Sequence, residues 1–568
     1  MSVRGTGYSP RQAQPSRPGR GPRWLVPIAA IVLAGGVVVA FAGGMLGGSL
    51  PDPSPIPGIP GPSRTPGSQP TQTAAAVDPG ESGAPSAAPP TATPLPVATT
   101  EQDVAIVPVT NFRSGRTGVR PADVRAIPGG DGTYSALVLV QADADAILAA
   151  LGTDRAAFGT DLVVVDDADA LAANLARNRT RLGFLRADQV GASVRALEWA
   201  SKALFGVDHV RSLADWPLTA RLQAPDAEPG YDPKTAWTLV AGGDILLDRG
   251  VALAIKANGV NFPFDGGTVD ITGICKDCSP FGWDLPYTQR TGNKGSVRDL
   301  VKGADLALAN FENPAPDTFR FHSRGTVFSA NPGYIKGLRN AGIDWVSLAN
   351  NHIGDAGRKG ILQTMANMDE AGIAHSGVGR NIVDAHKAAL LKVGDVTVGL
   401  LGYDTIAGYY QAGTTTPGSA RLTVKALKAD IKAARKAGAD LVIVFPHWGV
   451  EYRSTPFAGQ QRLARAAIDA GADMVIGNHS HWAGAMEVWK GKPIWYALGN
   501  FVFDQTWSIP TMEGITLELT FSGTKLVQAK LHPHLIMDKA QPNFLDPLGD
   551  GRTVLSQIFR ASKGLLSW

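Results

Sequence analysis

The sequence predicts an α/β protein in which a smaller and a larger α/β domain follow a proline-rich linker and one N-terminal transmembrane helix. Three observations support this prediction. Residues 24–48 contain no charged side chain, and residues 51–100 contain fourteen prolines. From residue 101 onward, short apolar runs typical of buried strands alternate with helical patterns, as they do in α/β folds.

Length and composition exclude several classes of protein. The chain has 568 residues, of which 44% are hydrophobic and 18% charged, so wholesale disorder is excluded. At roughly 150 residues per domain, this length favours two to four structural units. The net charge is +3, but residues 1–23 hold five arginines and no acid, which leaves −2 for the remainder. The bulk of the chain is therefore not a basic nucleic-acid binder.

The first hundred residues are typical of a membrane-anchored protein. A basic tail, 1–23, precedes the apolar segment 24–48, which is long enough to cross a bilayer as a helix. The arginines before this segment predict a cytoplasmic N-terminus and an extracytoplasmic bulk. A cleaved signal peptide, with Ala40-Phe41-Ala42 as its cleavage site, is the alternative and also leaves the bulk outside. Residues 49–100 are expected to be a disordered, proline-stiffened spacer.

Residues 101–228 are predicted to form an accessory α/β domain. The expected strands are 104–109, 136–140 and 162–165, and the expected helices are 143–151 and 168–178. Asp166 and Asp167 form an acidic pair just before the second helix. A turn or a helix N-cap is the simpler explanation for this pair. No group of chemically reactive residues stands out in this segment.

Residues 235–568 are predicted to form a second domain, whose strands deliver polar residues from their carboxyl ends. Five apolar runs, at 238–241, 305–309, 345–349, 441–445 and 474–476, lead into Gly242-Gly243-Asp244, Asn310-Phe311-Glu312-Asn313, Asn350-Asn351-His352, Pro446-His447-Trp448-Gly449 and Gly477-Asn478-His479-Ser480-His481. In α/β proteins these strand ends face the ligand crevice. Carboxylate and amide oxygens mixed with imidazoles suit Mn, Fe or Zn better than Ca. The pattern therefore predicts one or two divalent transition-metal ions.

Each of these segments alone has a simpler explanation. A Gly-Asp pair at a strand end is often a turn, a single histidine such as His447 is often only semi-buried, and Asn350-Asn351-His352 could cap the following helix. His479 and His481 are a stronger signal, because in an extended chain rings two residues apart point to one side. Five coincidences in one domain favour a shared metal site over independent caps.

Six motifs follow one another in this domain. They are Ala241-Gly242-Gly243-Asp244 through Arg249, Asn310-Phe311-Glu312-Asn313-Pro314, Leu348-Ala349-Asn350-Asn351-His352 with Asp355 and Gly357, His447-Trp448-Gly449-Val450-Glu451-Tyr452, Gly477-Asn478-His479-Ser480-His481, and Leu498-Gly499-Asn500-Phe501-Val502-Phe503-Asp504-Gln505. Over 238–545 the chain resembles the CapA family of bacterial capsule and poly-γ-glutamate biosynthesis proteins, which is itself similar to the calcineurin-like metallophosphoesterases. The resemblance implies a four-layer metallophosphatase-like β-sandwich, with two mixed sheets face to face and helices outside.

The resemblance also implies roles for individual residues. The metal ligands would be Asp244, Glu312 (as the bridging residue), Asn351, His447, His479 and His481. His352 would be the proton donor. Arg249 is a candidate fork for phosphate or carboxylate, with a surface salt bridge as the alternative. The residues expected to orient the imidazoles or line the substrate cleft are Asn310, Asn350, Glu451, Asn500 and Asp504; capping or solvent exposure is the simpler explanation for Glu451 and Asp504.

The chain departs from the phosphoesterase pattern at two positions. Those enzymes have a histidine two residues after the first aspartate, where this chain has Leu246. The bridging residue would be Glu312 instead of an aspartate. One metal position is therefore expected to be weak or empty, which puts ordinary two-metal phosphatase activity in doubt.

The two cysteines, Cys275 and Cys278, are too few for a disulfide scaffold or a four-cysteine metal site. Outside the membrane, their spacing favours a local disulfide in the loop 261–296 over a redox or metal role. That loop is long enough to form a lid or a substrate wall. His322 and Arg324 follow the Glu312 motif and are expected either to reach the cleft or to lie on an exposed hairpin. Three tryptophans are expected to pack in the core or at the rim of the cleft: Trp482, Trp495 and Trp507.

Three functions are compatible with these features. The first is a membrane-anchored CapA-like protein that makes, exports or anchors an anionic surface polymer such as poly-γ-glutamate. Because the chain carries no nucleotide-binding signature, polymer synthesis would need partner proteins for synthesis or export in the membrane. The second is an independent metallohydrolase acting on phosphoesters or on polymer amide bonds. The third is a polymer-binding scaffold that has kept the fold and lost the chemistry, for which Leu246 is the best argument.

Overall fold

A computed structural model of the protein describes residues 99–225 and 230–568. The predicted basic tail, transmembrane helix and almost all of the linker lie outside these ranges. Within the two ranges, no helix combines the length and apolarity needed to cross a bilayer. The described residues belong to a single compact unit.

The first part of this unit is a six-stranded sheet with helices. Its strands are β1 (Thr99–Asn111), β2 (Gly118–Val119), β3 (Ala136–Val140), β4 (Leu162–Val165), β5 (Arg181–Arg186), β6 (Val194–Ala196), β7 (Glu198–Trp199) and β8 (Thr219–Pro225), and its helices are α1 (Pro121–Arg125), α2 (Ala144–Ala150), α3 (Arg155–Phe158) and α4 (Ala168–Arg177). The sheet order is β4-β3-β5-β1-β6, with β8 also paired to β1, while β2 and β7 form a separate pair.

The predicted strands and helices of this part match the structure closely. The strands predicted at 136–140 and 162–165 have the same bounds in the structure, and the strand predicted at 104–109 is the buried half of the longer β1. Asp167 is the N-cap of α4, where its side chain accepts a hydrogen bond from the Ala170 amide at 2.8 Å.

The second part contains the remaining elements. Its strands are β9 (Ala236–Ile245), β10 (Thr268–Cys275), β11 (Leu285–Gly292), β12 (Leu306–Phe311), β13 (Trp345–Ser347), β14 (Ala374–Ser376), β15 (Val378–Gly379), β16 (Ala389–Val393), β17 (Val396–Asp404), β18 (Gly418–Ser419), β19 (Leu441–His447), β20 (Met474–Ile476), β21 (Met486–Trp489), β22 (Lys492–Trp495), β23 (Asn500–Val502), β24 (Glu513–Ser522), β25 (Lys525–Met537) and β26 (Gln541–Phe544). Its helices are α5 (Arg249–Asn258), α6 (Ser296–Gly303), α7 (Ile335–Ala341), α8 (Gly357–Glu370), α9 (Ile382–Ala385), α10 (Val424–Lys436), α11 (Ala458–Asp469), α12 (Ile509–Met512) and α13 (Gly551–Ala561).

Two large mixed sheets organise this second part. One has ten strands in the order β11-β10-β26-β25-β24-β9-β12-β13-β14, with β23 also paired to β9, and the other has six in the order β16-β17-β19-β20-β22-β21. One apolar core contains residues of both sheets, among them Trp345 and Phe445, whose rings meet edge to face at 5.2 Å between centroids. The sheets therefore pack face to face.

Helices cover the outer faces of both sheets. Apolar residues of α5, α6, α7 and α8 form a second core with β9 and β12 of the larger sheet. Those of α10 and α11 form a third core with β19 and β20 of the smaller sheet. Two sheets between two helical layers give the four-layer arrangement that the sequence motifs imply.

The segment 261–296 is not the loop that was expected. Residues Thr268–Cys275 and Leu285–Gly292 form the antiparallel hairpin β10–β11, which lies at the edge of the larger sheet. The prediction was wrong because Val269 is the only buried residue of the two strands, so the hairpin has no apolar run of the kind that a buried strand has. Cys275 and Cys278 form a disulfide just beyond β10, as the local-disulfide prediction expected.

Candidate metal centre

The carboxyl ends of strands from both sheets meet at one place. Parallel pairing of β9 with β12 and with β23 sets Asp244 opposite Asn310 on one side and Asn500 on the other. In the smaller sheet, parallel strands β19 and β20 end at His447 and at the turn that carries His479 and His481. Residues about 240 positions apart in sequence are thereby brought within hydrogen-bond distance, as in the bond of 3.3 Å from the His479 amide to Asp244 Oδ2.

Glu312 is buried at the centre of this site without ordinary partners. Its side chain is fully shielded from solvent, and within the described part of the chain neither carboxylate oxygen has a hydrogen-bond partner. Its Oε1 lies 3.6 Å from His447 Nε2 and 3.8 Å from His481 Nε2. A buried polar group without a partner costs about 1–3 kcal/mol, and a charged one more. A cation bound between Glu312 and the imidazoles would remove this cost.

The atoms around His447 Nε2 are crowded in the manner of metal ligands. Asn351 Oδ1 lies 2.7 Å away and His479 Nδ1 3.1 Å away, in addition to Glu312 Oε1. One nitrogen carries at most one proton, so it cannot donate to all three neighbours. A shared cation would satisfy them together.

Two sets of three ligand atoms fulfil the distance requirement for a metal. Glu312, His447 and His479 form one set, and Asp244, Glu312 and His481 form the other, with all ligand atoms of a set within 4.8 Å of one another. Ligands bound at about 2.0–2.2 Å from one ion lie roughly 3–4 Å apart, so modest side-chain adjustment would close either set. Glu312 belongs to both sets, which is the position of a bridging ligand.

The hydrogen bonds around the site fix the state of several ligands. Asn310 Nδ2 donates to Asp244 Oδ1 at 2.8 Å and lies 3.1 Å from His447 Nδ1. His481 Nδ1 lies 2.8 Å from Asn500 Oδ1, so it carries the proton and leaves Nε2 free on the Glu312 side. Orienting partners of this kind are typical of metal-bound imidazoles. Asn350 is fully buried and donates to the Phe311 carbonyl at 2.8 Å, which holds the loop after β13 in place.

Burial disfavours the charged forms of the carboxyls and imidazoles in the two ligand sets. It raises the pKa of Asp244 to about 7, and burial together with Asp244 raises the pKa of Glu312 well above its usual range. Burial and neighbouring imidazoles lower the pKa of His479 and His481 to about 3. Neutral imidazoles are ready to coordinate, and the carboxyls would become anionic once a cation offset the cost of charging them.

His352 lies at the edge of this cluster. Burial is the main cause that lowers the pKa of His447, His479 and His481, and the nearby imidazole of His352 is a smaller one. Its Nδ1 lies 2.9 Å from Asp355 Oδ2, and its ring packs on Phe328 at 4.1 Å between centroids. Asp355 therefore fixes the ring and leaves Nε2 available for proton transfer.

Arg249 is already engaged inside the protein. Its guanidinium donates to Asp504 and, at 2.7 Å, to the Gly325 carbonyl, and it lies 4.7 Å above the ring of Phe328. The buried Nε has no partner in the described residues. Arg249 and Asp504 form a largely buried ion pair at the cleft, whereas Glu451 is exposed at the rim.

The backbone around the site adopts conformations that the sequence did not predict. His479 and His481 have φ values of 94° and 56°, so the argument from an extended chain was wrong even though both rings reach the cluster. Left-handed conformations cost roughly 1–2 kcal/mol per non-glycine residue. At His479 this conformation directs the amide toward Asp244. Arg249 and Tyr452, at 52° and 62°, complete four such residues at the site.

Asp248 supports the site in a way that the sequence motifs did not indicate. This buried carboxylate accepts hydrogen bonds from the amides of Arg249, His322 and Ser329 at 2.8, 3.1 and 2.9 Å, and lies 2.8 Å from His322 Nδ1. It fastens the loop 320–329, which places Phe328 beside His352. His322 thus binds Asp248 instead of lining the cleft, and no local motif could have shown this.

Leu246 occupies the position where the phosphoesterase pattern has a histidine. It is fully buried in a small apolar cluster with Phe328, Phe503 and Ile536. It therefore offers no ligand to either set.

Aromatic residues form one wall beside the centre. Tyr452 stacks near His481 at 6.1 Å between ring centroids and contacts Trp507 at 5.1 Å. The tip of hairpin β10–β11 joins this wall, where Trp283 lies 6.1 Å from Trp507 and 6.5 Å from Trp482. Trp495, in contrast, is fully buried in the core between the sheets.

Known proteins share sequence with this domain. Residues 238–505 match the family described as "Bacterial capsule synthesis protein PGA_cap". The capsule biosynthesis protein CapA of Bacillus anthracis is 36% identical over 37% of this chain and 54% of its own length, and the PGA biosynthesis protein CapA of Bacillus subtilis (strain 168) is 34% identical over 37% of this chain and 57% of its own. The chain thus spans little more than half the length of these relatives.

Among solved structures, the calcineurin-like phosphoesterase YfkN from Bacillus subtilis matches with a TM-score of 0.30 and 12% identity, over 58% of this chain and 97% of that chain. The sequence matches confirm the family resemblance that the motifs indicated. Residues 238–505 of this chain are thus similar in sequence to bacterial capsule synthesis proteins.

Proposed function

We propose that this protein is a membrane-anchored, extracytoplasmic accessory protein in the synthesis, export or anchoring of an anionic capsule polymer such as poly-γ-glutamate, and that it works through a divalent metal centre. The observation that carries the metal centre is Glu312, a buried carboxylate without a hydrogen-bond partner in the described structure, beside His447 and His481. The polymer role is supported by the match to capsule synthesis proteins over 238–505.

The donor set fits a divalent transition metal such as Mn, Fe or Zn. Glu312, His447 and His479, with Asn351, would hold one ion, and Asp244, Glu312 and His481 would hold a second, weaker one. A bound cation would polarise a phosphoryl or carbonyl oxygen of the substrate. His352, oriented by Asp355, would hold a proton at Nε2 for the leaving group. The ion pair of Arg249 and Asp504 would shape the cleft beside it.

The test combines metal content with polymer output. The full-length protein would be loaded with Mn, Fe or Zn and measured by elemental analysis, and polymer on the cell surface would be quantified in a strain that depends on the protein. We expect stoichiometric metal in the wild type, and loss of both metal and polymer in His447→Ala. His375→Ala, which removes a histidine outside the cluster, is the matched control and should behave as wild type. Polymer output that survives metal loss would refute the metal-dependent role.

A non-catalytic scaffold is the second candidate, because Leu246 removes a ligand from the site. It predicts that polyglutamate binding survives substitution of Glu312 and His479 while no turnover is seen. A third possibility, an independent phosphoesterase or polymer amide hydrolase, predicts hydrolysis of a generic aryl phosphate or of the polymer that is lost in His447→Ala.

A further inference from the structure

A cavity separate from the candidate metal centre lies between the two parts of the described unit. It has a volume of about 390 Å³, within the size range of small-molecule sites, and none of the metal ligands lines it. It opens between the β1–β8 part and the larger sheet, and the residues that matter here are Arg195, Glu198, Glu518, Lys530 and His532.

Arg195 is a buried cation that lacks a counter-ion. It lies on β6 and is only 5% exposed. Within the described ranges its guanidinium makes one long hydrogen bond, from Nε to the Arg116 carbonyl at 3.4 Å, and no ion pair. The contrast is Arg186 on β5 of the same sheet, which forms two hydrogen bonds of 2.9 and 2.7 Å with Asp143. Charged groups are seldom buried without a partner.

The nearby carboxylate of Glu518 does not supply that partner. Glu518 accepts hydrogen bonds from the Val207 amide at 2.9 Å and from His532 Nε2 at 2.6 Å, and lies 3.8 Å from Lys530 Nζ. Burial lowers the pKa of Arg195 to about 10, an effect that Glu518 and Glu198 only partly offset. The guanidinium therefore stays charged at neutral pH, with hydrogen-bond donors to spare beside the cavity.

Acidic side chains line the same cavity from exposed positions. Asp208, Asp270 and Asp546 are exposed and therefore belong to its mouth, whereas Arg195 is buried. A ligand that pairs with both kinds of charge in the cavity carries a carboxylate that binds the Arg195 guanidinium and an ammonium group that binds the carboxylates at the mouth. We propose that this cavity binds a free amino acid, with its carboxylate on Arg195. Guanidinium and carboxylate pair bidentately, which gives both strength and orientation.

The test measures binding to the full-length protein by isothermal titration calorimetry and thermal denaturation. The probes are each standard L-amino acid in turn, with acetate, methylamine and inorganic phosphate for comparison. We expect at least one amino acid to bind saturably, and more tightly than acetate or methylamine. Arg195→Met should weaken this binding by about tenfold or more, because it removes a charge-assisted bidentate contact.

Two further variants and the stability of Arg195→Met itself separate binding from folding. Arg221→Met, on β8 with a side chain that is 66% exposed, should bind as wild type. Arg195→Met should denature no lower than the ligand-free wild type, because it removes an uncompensated buried charge. Asp270→Asn, at the exposed mouth, should weaken amino acids more than acetate, and it serves if Arg195→Met does not fold.

Three results would overturn the proposal. The first is the absence of saturable binding by any amino acid. The second is phosphate or acetate binding as tightly as the best amino acid, which would indicate a simple anion site. The third is an Arg195→Met protein that folds and binds the best amino acid as tightly as the wild type does, which would show that Arg195 does not hold the ligand.

Discussion

Replacing Glu312 by glutamine should have opposite effects on stability with and without metal. The substitution keeps the shape of the side chain and removes the charge that burial and Asp244 both disfavour. An unpartnered buried polar group costs about 1–3 kcal/mol, and a charged one costs more. Glutamine keeps the polar group but cannot ionise, so the substitution should raise the free energy of unfolding of the metal-free protein by about 1 kcal/mol at pH 8. With metal the order should reverse, because an ion at a hundred times its Kd stabilises the wild type by about 2.7 kcal/mol.

The assay is urea denaturation of wild type and Glu312→Gln, each in chelator and in saturating Mn or Zn. Glu487→Gln is the matched control, because Glu487 is also buried but accepts hydrogen bonds from Arg465 at 2.7 Å and Tyr496 at 2.5 Å. It should lower stability equally in both conditions. The reasoning is refuted if Glu312→Gln is destabilised in chelator and gains as much from metal as the wild type does.

Three further predictions concern the surroundings of the metal ligands. Burial raises the folded-state pKa of Asp244 to about 7, so the contribution of protonated Asp244 to the stability of the metal-free protein is complete below pH 4 and is lost as the pH rises through 7. The rise in Tm on adding metal should therefore be larger at pH 8 than at pH 5.5. A pH-independent rise in Tm would contradict this prediction. Asn500→Ala should lower metal affinity by about 10–100-fold in a competition titration, since it frees His481 Nδ1; unchanged affinity would show that this contact does not orient the ring. Asp248→Asn should lower the free energy of unfolding measured in denaturant by about 1–3 kcal/mol and speed proteolysis at 320–329, because it weakens the hydrogen bonds that hold this loop. Unchanged proteolysis would count against a role of Asp248 in holding the loop.

The elements with the strongest apolar signal were the ones that the sequence predicted best. β20 and β4 have the predicted bounds, and each lies against helices that bury an apolar stripe. The sequence placed Asp244 and His447 at the carboxyl ends of strands, which face the ligand crevice in α/β proteins. These strands belong to different sheets, so the two residues meet only because the sheets pack face to face, an arrangement that the family resemblance implied. The bridging role proposed for Glu312 came from the family resemblance, since its own segment is equally typical of a turn.

Features that depend on distant parts of the chain could not be predicted. Asp248 acts on a loop more than seventy residues away, and a single carboxylate in sequence carries no sign of that. The left-handed backbone of His479 arises from its contact with Asp244, which overrides the preference of the local chain. Hairpin β10–β11 buries only Val269 among its strand residues, so its sequence lacks the apolar run that identifies a strand.

Anomalous-scattering crystallography of the metal-loaded protein tests the central claim most directly. We expect an anomalous peak enclosed by Glu312, His447 and His479, and any second, weaker peak on the side of Asp244 and His481. A metal-loaded crystal with no peak near Glu312, or with its ions bound elsewhere on the surface, would contradict the account.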